Sequence, residues 1–178
     1  MTGLLILIAS LIVIGWLVAY MRAQKPVSAT HPLNQAESLK LAGKFEEAID
    51  VYRRLDDPAA KEGIALCLAH LGRDLDEAQR LMEWMIGNHP QIQEFQALGL
   101  AYILLRKGER AAALRLYEDN LVLLETRFRD DYTDPDPLLA ETLWMYAALA
   151  EASGDLTRAT ALRKKASEWA PGSAWSYH

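Results

Sequence analysis

Residues Gly154–Pro171 read GDLTRATALRKKASEWAP. Within them the spacing is glycine, four residues, Ala159, six residues, Ala166, four residues, proline. A glycine at the start suits a tight turn between helices, because it takes positive φ at little steric cost. The alanines lie on one side of the helix that follows and let it approach a neighbour closely. Proline ends the helix and frees the chain for the next element. The same order recurs upstream, beginning with GKFEEAIDVYRRL at Gly43–Leu55, where Ala48 and Tyr52 follow the glycine. Gly72 is followed by Ala78, Met82, Met85 and Pro90, and Gly108 by Ala113 and Tyr117.

No strand-like alternation of any length interrupts this pattern beyond Leu33. Breaks at Gly43, Asp57-Pro58, Gly72, Gly87, Pro90, Gly108, Asp130–Pro137, Gly154 and Pro171 divide residues 33–171 into eight helices paired as hairpins. A hairpin recurring along a chain is the signature of a stacked repeat protein. On these motifs, and on LGLAY at Leu98–Tyr102, the chain resembles the tetratricopeptide repeat (TPR) family, of the membrane-anchored bacterial type. The turn glycines lie 29, 36 and 46 residues apart, against about 34 in the family, so the repeats are diverged.

The resemblance implies an all-α fold, a right-handed solenoid of about four helical hairpins. It also implies a concave face lined by first helices, on which partner peptides dock. In the repeat register that face carries Glu37, Glu62, Leu66, Leu98, Tyr102, Glu141, Trp144 and Glu151. Such an acidic, partly aromatic surface favours a basic or amphipathic segment.

Ahead of the repeats, Thr2–Met21 contains no charge, and 16 of its 20 residues are apolar. Twenty helical residues span about 30 Å, the thickness of a bilayer's hydrocarbon layer. The expectation is a transmembrane anchor over residues 1–21, with Leu4, Ile8 and Ile12 in lipid and Trp16 and Tyr20 at its edge. Gly15 and Ala19 form a small-xxx-small pair that admits a homodimer. Arg22 and Lys25 place the repeat domain in the cytoplasm, with the periplasm as the alternative. Residues 22–32 read as a linker and residues 172–178 as an aromatic tail. Trp175 and Tyr177 in that tail either fold back on the last hairpin or form a docking peptide.

Composition narrows the function. Nineteen Lys and Arg against 24 Asp and Glu, without a basic run, give nucleic-acid binding little electrostatic basis. A single cysteine excludes an internal disulfide. Cys67 and His70, three apart on one helix, are two of the four ligands a structural metal site needs, and no other Cys or nearby His completes it. Asp130–Pro137 brings four carboxylates into one loop, but it lacks the central glycine and closing glutamate of a helix-loop-helix calcium site. It reads instead as a solvated loop whose Asp136 caps the next helix. No phosphate-cradling loop or nucleophile motif is present. The expectation is a non-enzymatic protein without cofactor, a single-pass protein of the cell (inner) membrane. Its role would be an interaction adaptor that scaffolds or assists assembly of a membrane or envelope complex. The alternatives are an integral accessory subunit of such a complex and a receptor for basic, amphipathic targeting peptides.

Overall fold

A computed structural model describes residues 31–89, 93–130 and 136–176. The elements in chain order are α1 (Pro32–Leu41), α2 (Phe45–Tyr52), α3 (Pro58–Leu71), α4 (Leu75–Asn88), α5 (Gln93–Arg106) and α6 (Arg110–Asp130). A 3-10 turn at Pro137–Leu139 then leads into α7 (Ala140–Ser153) and α8 (Leu156–Trp169). The described chain is all-helical and repeat-like. Helices pair as α1/α2, α3/α4, α5/α6 and α7/α8, each hairpin packs on the next, and the first helices also touch one another.

The four hairpin turns are closed in one way. Gly43, Gly72, Gly108 and Gly154 have φ of 75°, 69°, 85° and 97°. In each turn the amide after the glycine donates to a carbonyl five residues back: Lys44 to Leu39, Arg73 to Leu68, Glu109 to Leu104 and Asp155 to Ala150, at 2.9–3.3 Å. This bonding satisfies carbonyls that a helix end would otherwise leave open. Helix starts are capped as locally. Asp57 Oδ1 accepts from the Ala59 amide at 2.8 Å with Pro58 in the first turn, and Asp155 Oδ1 accepts from Arg158 at 3.0 Å. Asp136 caps the 3-10 turn through the Leu138 amide at 2.9 Å.

The second-helix alanines, Ala48, Ala78, Ala113 and Ala159, are all buried, as is Ala166, while Pro171 is exposed. One turn beyond the first three of these alanines come Tyr52, Met82 and Tyr117, among the largest fully enclosed side chains. Two of them press on a glycine in the next first helix. A methyl group on Gly63 would stand 2.6 and 2.7 Å from Tyr52 Cε2 and Cε1, and one on Gly99 would stand 2.8 Å from Met82 Cε. The core forms two clusters: one centres on the first two hairpins and takes in Tyr102, Ile103 and Met145, and the other joins the last two with Trp175.

The expectation of a single-pass membrane protein is corrected. Among the described residues no helix is long and apolar enough to cross a membrane. The longest, α6, carries charged residues from Arg110 to Asp130. The expected anchor, with Leu4, Ile8, Ile12, Gly15, Trp16, Ala19 and Tyr20, lies outside the described residues. So do nearly all of the linker, Pro90, Asp131–Pro135, Tyr177 and His178. Neither the spanning helix nor the inner-membrane location therefore forms part of the fold described here.

Candidate functional site on the inner face

Four first helices, α1, α3, α5 and α7, turn their inner faces toward one another around a cavity of about 240 Å³. Its wall includes Glu37 and Lys40 from α1, Glu62 and Leu66 from α3, Phe95 from α5 and Glu141 from α7. Sequence spacing placed Glu37, Glu62, Leu66 and Glu141 on this face, and the fold brings them together. Tyr102 and Trp144 face away from the cavity, into an aromatic cluster with Phe45, His70 and Trp175. Leu98 is 1% exposed and belongs to the core. Glu151 is on the surface, paired with Arg163.

Between cavity and aromatic cluster runs a buried polar chain. Lys40 Nζ is 2.6 Å from Glu141 Oε2 and 3.0 Å from Glu37 Oε2. The Tyr52 hydroxyl donates to Glu37 Oε1. On the far side, Glu141 Oε1 is 2.8 Å from His70 Nε2, and His70 Nδ1 is 3.3 Å from the Tyr102 hydroxyl. Lys40 and Glu141 are only 7% and 4% exposed, so this is an interior ion pair. It ties the first helix of the first hairpin to the first helix of the last.

Charge pairing determines the protonation states. Burial opposes ionisation of Glu141, but the Lys40 charge and hydrogen bonds from His70 and Lys40 outweigh it, holding the carboxyl at about 2. Burial likewise disfavours charged Lys40, yet Glu141 and Glu37 raise its pKa well above the ordinary lysine range. Glu62 is pushed up, chiefly by burial and further by the nearby charges of Glu141 and Glu37, against the opposing pull of Lys40. Burial, with Glu37 beside it, raises Tyr52, and burial also raises Tyr102. The Cys67 thiol, enclosed and near Glu141, is pushed up to about 12, a range in which it stays protonated.

His70 is boxed by aromatic rings. Its ring centroid lies 4.5 Å from Trp175, 5.1 Å from Phe45, 5.3 Å from Tyr102 and 5.5 Å from Trp144. With its nitrogens turned to Glu141 and Tyr102, His70 serves the polar chain rather than pairing with Cys67. Among the described residues no group of three or more His, Cys, Asp or Glu is placed to hold a metal ion.

Sequence reasoning missed Lys40, the polar role of His70, and the approach of Trp175 to Phe45. Lys40 stands three residues after Glu37, a spacing that puts both on one face. A lysine in an amphipathic helix nevertheless reads as solvent-facing, since lysine is rarely buried unless paired. The correction changes the charge of the inner face. Two of its carboxylates already share the Lys40 ammonium, and Glu62 is the cavity carboxylate without an ion pair among the described residues. No protein-family model matches this chain, and no curated protein matches it.

Proposed function

We propose that this protein is an interaction adaptor. Its helical hairpins, TPR-like in sequence, hold a segment of a protein partner on the inner face and so assist assembly of a complex. One observation carries the reading: a single cavity takes its wall from the first helices of all four hairpins. Inner surfaces built this way, one strip per repeat, are what stacked-hairpin proteins use for recognition. The wall combines apolar Leu66, Phe95 and Met145 with the carboxylate of Glu62. That chemistry fits an amphipathic segment presenting one basic group among apolar ones. A guanidinium or ammonium facing Glu62 would also relieve the cost of its burial.

The test is titration of the full chain with basic amphipathic peptides, followed by calorimetry or fluorescence anisotropy. Binding should weaken at least tenfold in Glu62→Lys. Glu141→Lys is not a usable variant, because it would break the interior ion pair and the fold with it. No binding, or binding indifferent to Glu62→Lys, would sink the idea.

A further inference from the structure

The polypeptide after α8 does not stay on the last hairpin. It turns at Gly172, with φ of 77°, and crosses to the first hairpin, where the Ala174 amide donates to Leu41 O at 2.9 Å. Trp175 then enters the aromatic cluster and is 3% exposed. Its neighbours come from three hairpins: Phe45 from the first, His70 from the second and Trp144 from the last.

Three features set this contact apart from ordinary core packing. The tail's other hydrogen bonds are internal: Ser173 to Ala170 O, the Trp175 amide to Ser173 Oγ, and Ser176 to Ser173 O. Among the described residues, the Ala174–Leu41 bond is the one backbone hydrogen bond that ties it to the first hairpin. The Trp175 indole Nε1 is buried without a hydrogen-bond partner, a state that costs free energy in a settled core. Beside the indole a space of about 340 Å³ remains, bounded by Phe45, His70, Tyr102, Arg106 and Trp144.

We propose that this aromatic seat is a second docking site, for a partner segment that carries a tryptophan between small residues, and that the chain's own tail is its resident occupant. The tail displays the binding mode: a main-chain amide to Leu41 O, and an indole against Phe45, His70 and Trp144. A segment held by one backbone bond and the packing of Ala174 and Trp175 belongs to the low-stability end of a structure and opens without global unfolding. Because the tail is tethered a few residues from α8, it competes at an effective concentration on the order of millimolar. A partner must outcompete it, so occupancy by the tail sets the threshold for docking. The site is separate from the inner cavity, and Glu62 variants leave it untouched.

The experiment has two arms. In the first, native-state hydrogen exchange on the full chain compares the Ala174 amide with that of Ala147, fully buried in the middle of α7. Ala174 should exchange at least a hundredfold faster than Ala147; exchange of Ala174 only with global unfolding overturns the proposal. In the second, a peptide of sequence PGSAWSYH, residues 171–178 of this chain, is titrated against the full chain and against a variant ending at Ala170. The truncated protein should bind the peptide at least tenfold more tightly than the full chain. A folded truncated protein that ignores millimolar peptide overturns the proposal, and if truncation unfolds the protein the exchange arm decides alone. A full-length dimer that loses its second copy on truncation would instead assign the seat to the tail of a second copy.

Discussion

Two glycines on successive first helices face the same kind of neighbour and should respond differently to one added methyl. At Gly63 the neighbour is the Tyr52 ring, stiff, enclosed and anchored by its hydroxyl to Glu37. At Gly99 it is the terminal methyl of Met82, which can swing aside. Gly63→Ala should therefore cost about 1–3 kcal/mol by overpacking, and Gly99→Ala less than about 1 kcal/mol, in urea unfolding. Glu62 offers a second residue-level test. Its folded pKa is raised, so between that value and the ordinary carboxylate range the folded state holds more protons than the unfolded one. Stability from this group thus rises as pH falls through the window. Glu62→Gln should be more stable than the parent at pH 7, and the difference should close toward pH 4. A constant difference across that range would show that burial of the charge is not its cause. Lys40, Gly63 and His70 were the residues least legible in advance, because their roles depend on what another helix places against them.

At the scale of elements, local chemistry does most of the specification. Each hairpin turn pairs a glycine at positive φ with a backbone bond five residues back, and none of this needs a distant contact. Gly154 isolates the effect, since a methyl there would meet nothing within 4 Å. Gly154→Ala should destabilise by about 1–2 kcal/mol through backbone strain alone, and Gly154→Asn by less, because asparagine tolerates the left-handed region. Equal losses in thermal unfolding would mean that the turn is not governed by φ. Turns and caps were legible for this reason: glycine, aspartate and proline act within a few residues of their own position. The helix faces were less so. Leu98 and Glu141 occupy the expected register, yet one is core and the other half of an interior ion pair.

For the whole molecule, the interior ion pair matters because it joins the ends of the stack. Lys40 on α1 and Glu141 on α7 are about a hundred residues apart in sequence, and their 2.6 Å contact depends on every hairpin between them. Lys40→Met should cost about 3–5 kcal/mol, since it strands Glu141 in the interior. Lys40→Met combined with Glu141→Met should recover part of that loss, because neither charge is then left unpaired. A double variant as unstable as the sum of the single ones would show that the pair does not couple the ends. The pH profile has a matching sign. Glu141 is depressed to about 2 in the fold, so its contribution is present above its ordinary range and lost as pH falls through that range toward 2.

The residue order alone was enough for an all-helical chain cut into hairpins, since periodicity, turn glycines and caps are written in neighbours. It was also enough to place Glu37, Glu62, Leu66 and Glu141 on one face. Which charges survive on that face depended on three-dimensional packing. Burial turns Lys40 inward, pairs it with Glu37 and Glu141, and leaves Glu62 as the carboxylate without an ion pair among the described residues lining the cavity. The course of the tail was also a matter of packing. Trp175 meets Phe45 across 130 positions because the stack brings its first and last hairpins together. Distances of that kind come from the sum of all the helix packings, and no local pattern encodes them.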